Sequence, residues 1–135
     1  MTIKTARTDL AALLSAAIGT PVLPSVPDTL DGPGIALQPG DPYLEVGDNN
    51  APWPFTHLEA ADREVRVHLE AVVFVEPTDN AVDLDKVDEL LAALLAAMPK
   101  AWQVDSVGTA EAISTADWTT YGVIVHLSTI VPLQA

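Results

Sequence analysis

The stretch 64-EVRVHLEAVVFVE-76 decides the fold. Val65, Val67, Leu69, Ala71, Val73 and Val75 recur at every second position, the period of a β-strand with one apolar face. The positions between them carry Arg66, His68 and Glu70, then switch to Val72 and Phe74. A strand over Glu64–Glu76 is predicted, with its second face half wet and half covered. Pro77 ends it, because proline has no N–H for a ladder hydrogen bond, and Thr78-Asp79-Asn80 forms a turn.

Beyond that turn the period changes to that of a helix, from about Asp83 to Met98. Leu84, Val87, Leu91, Leu94, Leu95 and Met98 make its apolar stripe, and Asp83, Asp85, Asp88 and Glu89 crowd its first turns, where negative charge complements the helix dipole. Ala92, Ala93, Ala96 and Ala97 form a small-residue surface suited to close packing on another helix. Pro99 stops the helix. A strand near Trp102–Val107, a polar connection through Gly108–Asp117 and a last strand Tyr121–Val131 follow. On that last strand Tyr121, Val123, Val125, Leu127, Thr129 and Val131 share one face, while Ile124, His126, Ser128 and Ile130 share the other.

Towards the N-terminus the chain opens with an amphipathic helix from about Thr5 to Ile18, capped by Thr5 or Thr8 and ended by Gly19 before Pro21. Its spacing of Leu10, Leu13, Leu14, Ala17 and Ile18, with Asp9 interrupting the apolar run, favours an ordinary helix over a signal peptide. Residues 19–54 then form a proline-rich arm. It is apolar enough to need a surface beneath it, on its own domain or on a neighbouring chain. Ile35–Gln38 and Tyr43–Val46 read as short strands around the turn Pro39-Gly40-Asp41-Pro42, a possible hairpin. Residues 47–62 read as a projecting loop. The expected architecture is one α+β domain over residues 1–135. It has a mixed, mostly antiparallel sheet of four to five strands, with two helices on one face and the proline-rich arm beside it.

Composition narrows the function. A net charge of −13 across 135 residues, with only six basic residues and no basic patch, disfavours binding to a phosphate backbone. There is no cysteine, hence no disulfide, thiolate nucleophile or cysteine metal site. No apolar run approaches the roughly 20 residues of a membrane span.

Candidate chemistry is sparse. His68 and His126 fall on equivalent faces of two long strands, with Glu70 nearby, so metal binding or general-base work enters as one reading. A partly exposed strand histidine is the commoner one. The serines lack a G-x-S-x-G setting, the run Asp79–Asp85 lacks the glycine and glutamate of a calcium loop, and the glycines match no phosphate-binding fingerprint. No catalytic residue, cofactor or metal is therefore expected. The sharpest candidates are Trp53 and Phe55, framed by Pro52 and Pro54. They either plug the domain's own core edge or anchor a neighbouring subunit, since aromatics dominate interface hot spots.

The layout as a whole resembles the tail terminator (tail completion) proteins of long-tailed bacteriophages, especially those of actinobacterial hosts. The likeness runs through the opening helix, PGDPYLEV (Pro39–Val46), VRVHLEAVVFVEP (Val65–Pro77), LDKVDELLAALLAAMP (Leu84–Pro99), AWQVDSVG (Ala101–Gly108) and the closing YGVIVHLSTIV. The polar linker Thr109–Thr120 departs from it. The resemblance implies a non-enzymatic virion protein that forms a ring, usually a hexamer, at the head-proximal end of the tail. Its partners would be itself, the tail tube protein and a head–tail connector, with DNA passing through an acidic lumen without specific binding. Under this reading the residues expected at subunit or tube contacts are Tyr43, Trp53, Phe55, His57, Val72, Phe74, Ile124 and Ile130, with the loop 47–62 against an adjacent subunit or tube ring. Two other readings stay open: a small acidic inhibitor or immunity-type protein that binds a basic partner, and another neck or tail-completion component.

Overall fold

A computed structural model describes residues 2–27, 33–45, 64–75, 80–114 and 119–132. The element order is α1 (Ile3–Ile18), β1 (Val22–Leu23), β2 (Gly34–Glu45), β3 (Glu64–Val75), α2 (Asn80–Ala97), β4 (Gln103–Val107), β5 (Glu111–Ser114) and β6 (Thr119–Pro132). The fold is α+β, as the sequence predicts. Its sheet has six strands in the order β1-β2-β3-β6-β4, with β5 also on β6. That exceeds the expected four to five because two short strands were illegible: two-residue β1, parallel to β2, and β5 inside the polar connection. All other pairings are antiparallel.

The centre is the β3–β6 ribbon, in unbroken register from Glu64↔Pro132 to Val75↔Tyr121. On one face Val65, Val67, Leu69, Ala71, Val73 and Val75 lie beside Val123, Val125, Leu127 and Val131, all buried. Both helices cover this face. From α1 come Ala6, Leu10, Ala11 and Leu14, and from α2 come Val87 and Leu94, with Leu90, Leu91, Ala97 and Met98 partly buried. Leu13, Leu84 and Leu95, expected in the helix stripes, instead stand 55%, 41% and 39% exposed. Each helix buries only the line of side chains that meets the sheet, which is narrower than either stripe. Ala92 and Ala96 are likewise exposed, so the small-residue surface is not filled by α1.

Helix α1 begins earlier than Thr5. Thr2 is the cap: its hydroxyl accepts from the Thr5 N–H, and the Thr5 hydroxyl accepts from the Thr2 N–H. Thr5 thus fills the reciprocal place that glutamate usually takes in a capping box. At the other end Gly19 adopts φ 80°, and its N–H donates to the Ser15 carbonyl. The Ser15 hydroxyl donates to the Ala11 carbonyl at 2.7 Å and accepts the Val22 N–H at 2.8 Å, tying β1 to the helix.

The proline-rich segment is corrected most. Its described part lies on its own domain. Gly34–Glu45 is one long strand against β3, not a hairpin, and the residues between Pro39 and Leu44 form an irregularity in its register. Beyond Ala36 nothing described pairs with the outer edge of β2, so Pro39 and Pro42 cost no ladder hydrogen bond there. Gly40 passes so close to β3 that a Cβ would lie 2.9 Å from the His68 Cβ and 3.0 Å from its carbonyl oxygen. Only glycine fits that approach. The projecting loop 47–62 lies outside the described residues.

Candidate interaction face of the sheet

The side of the sheet away from the helices carries the alternate positions of β2, β3, β6 and β4. Register places Gln38 beside Glu70 and Glu70 beside His126. It places Glu45 beside Arg66, Arg66 beside Ile130, and His68 beside Ser128. The side chains form a polar band. Gln38 donates to Glu70 at 2.7 Å, and His126 lies 3.4 Å from the other Glu70 oxygen. Arg66 sits 3.6 Å from Glu45 and donates to the Ser128 hydroxyl, which donates to Asp105. His68 bridges Glu45 at 3.1 Å and approaches Asp105 at 3.9 Å.

Each acid named in this band has a hydrogen-bonding or ion-pairing partner within it. Partly exposed ion pairs contribute little stability each. The band links side chains of four adjacent strands, β2, β3, β6 and β4. Ser128 is fully buried at its centre. Its replacement by alanine removes the hydrogen bonds it makes with Arg66 and with Asp105. Ser128→Ala is expected to lower unfolding free energy by about 1–3 kcal/mol in a urea titration. Among the described residues no group of three or more His, Asp or Glu is placed to hold a metal ion. His68 and His126 do not share a partner: His126 goes to Glu70, His68 to Glu45 and Asp105.

The apolar residues singled out from the sequence separate into distinct places. Val72 and Phe74, each 2% exposed, form a small second core with Ala36, against which Val26 and the half-buried Ile124 pack. They are therefore covered by their own chain, contrary to their expected role as open contact residues. The half-covered face read from the sequence is real, and the cover comes from the segment after β1. Ile130 stands 42% exposed beside Arg66, six residues and about 20 Å along β6 from Ile124. Tyr43 is half-buried against the main core, on the helix side. Trp53, Phe55 and His57 lie outside the described residues.

Sequence reasoning missed Asp105, Glu45 and Gln38 as members of the band. Gln38 and Glu45 could have been found by pairing polar positions of neighbouring strands. Asp105 could not, because a register shift between Val104 and Ser106 decides where it points. No protein-family model and no curated protein sequence matches the chain. Among the described residues no helix is long and apolar enough to cross a membrane.

Proposed function

We propose that this chain is a non-enzymatic structural subunit that assembles with copies of itself into a ring of the tail-terminator kind. That ring would cap a phage tail tube at its head-proximal end, stop its growth and join it to the neck, so that the protein resides in the virion. The observation that carries the assembly reading is the set of large apolar side chains left in water on an acidic domain. Leu13 is 55% exposed, and Leu84, Val107 and Ile130 are 41–42% exposed, spread over both helices and two strands. The tail-specific part rests on the pattern of segments described above. Strand β4 adds an outer edge with no described neighbour, a feature that small soluble domains usually protect.

The acidic-inhibitor reading draws on the same net charge of −13. It is weakened because the acids of the sheet face are already engaged by Arg66, His68, His126 and Gln38. Withholding the protein during particle production tests the proposal. Tails longer than normal and heads without tails are expected by electron microscopy. Tails of ordinary length joined to heads would contradict it.

A further inference from the structure

Two hollows flank the pair Ala101–Trp102 at the start of β4. The first, of about 430 Å³, is almost wholly apolar and lies between α1 and the α2–β4 connection, lined by Asp9, Ala12, Leu13, Pro99 and Trp102. The second, of about 250 Å³, is polar and is lined by Arg66, Lys100, Gln103 and Ser128. An apolar slot beside the exposed Lys100 is complementary to an apolar side chain accompanied by a carboxylate.

The chain itself displays such a surface. On α2, Leu84, Asp88, Leu91 and Leu95 recur at helical spacing and form one ridge about 16 Å long. Leu84 and Leu95 are exposed and Leu91 is half-buried. Asp85 and Asp88, both exposed, flank Leu84, while Lys86 projects from the opposite side of the helix.

We propose that the Leu84 ridge of one copy docks in the Leu13–Trp102 groove of another, with Asp88 and Asp85 over Lys100. The inference rests on the self-assembly reading and names its contact. Because donor and acceptor surfaces differ, the contact runs head to tail, the kind that closes into a ring when the rotation per subunit permits. Asp9, which also lines the groove, disfavours an acid placed inside it, whereas Lys100 attracts one outside it.

The absence of native cysteine makes the test direct. Ala12→Cys and Leu84→Cys proteins are oxidised singly, as a mixture, and combined in one chain. A disulfide-linked dimer is expected from the mixture and from neither protein alone, since linkage needs Cα atoms within about 4.4–6.8 Å. The double variant is expected to give a ladder longer than two. In parallel, Lys100→Glu and Asp88→Lys should each weaken association at least tenfold by sedimentation, and mixing the two variants should restore it.

A mixture that does not link, with no rescue by the charge swap, overturns the contact even if oligomers form by another face. A double variant that stops at a doubly linked dimer keeps the contact and overturns the ring. Self-linking of either single variant, with no added product on mixing, shows a different contact and also overturns the proposal.

Discussion

Phe74→Ala is expected to lower the unfolding free energy by about 3–5 kcal/mol, read as a shifted midpoint at unchanged slope in a urea titration. Phe74 is the largest described side chain on the covered end of the helix-free face, and the register explains how it is accommodated. It pairs with Gly34 on β2 and with Gly122 on β6, so neither neighbouring strand puts a side chain beside the ring. The ring lies over Gly34, where an added Cβ would come 2.8 Å from its Cζ. Removing it opens a cavity above two glycines, and neither can collapse into it. The loss is comparable to a large share of a small domain's total stability. Ile130→Ala, at the open end of the same face, should change stability by less than about 0.5 kcal/mol. Equal losses at the two ends would mean that the face is covered along its whole length.

Trp102→Ala is expected to cost a similar 3–5 kcal/mol. Trp102 is 6% exposed and closes the α2–β4 connection, its backbone N–H donating to the Pro99 carbonyl at 3.0 Å. The preceding residue is held as well: the buried Thr129 hydroxyl donates to the Ala101 carbonyl at 2.6 Å. Truncation therefore empties a site whose backbone is pinned from both sides, which leaves little room for relaxation. It also removes the wall shared by the apolar groove and the polar hollow. Leu13→Ala separates the two roles. Leu13 is more than half exposed, so its loss should leave the urea midpoint in place while weakening association between copies. A Leu13→Ala protein that associates as the parent does would remove the groove from the account.

The long strands were legible because their alternation is driven by burial on one side, which any sequence must respect. Arg66, His68 and Glu70 followed by Val72 and Phe74 announced the change from open to covered face correctly. What covers that end was not legible: Val26 sits in a proline-rich segment with no period, and only the tertiary fold brings it there. The same segment misled in another way. Pro39-Gly40-Asp41-Pro42 has the composition of a turn, yet an edge strand tolerates both prolines where a central one would not. Strand β5 was hidden because its residues are mostly polar or small and pair only with β6. In the helices the stripes were read too wide, and the leucines left over, Leu13, Leu84 and Leu95, became the surface on which the assembly proposal turns. Of the expected contact residues among those described, Ile130 is exposed, Tyr43 and Ile124 are half-buried, and Val72 and Phe74 belong to the chain's own interior.

Native mass spectrometry of the purified chain over a range of concentrations bears most directly on self-assembly. The account predicts a closed oligomer of one stoichiometry, built from 14.3 kDa subunits and persisting on dilution. A species of 14.3 kDa alone at every concentration would contradict it.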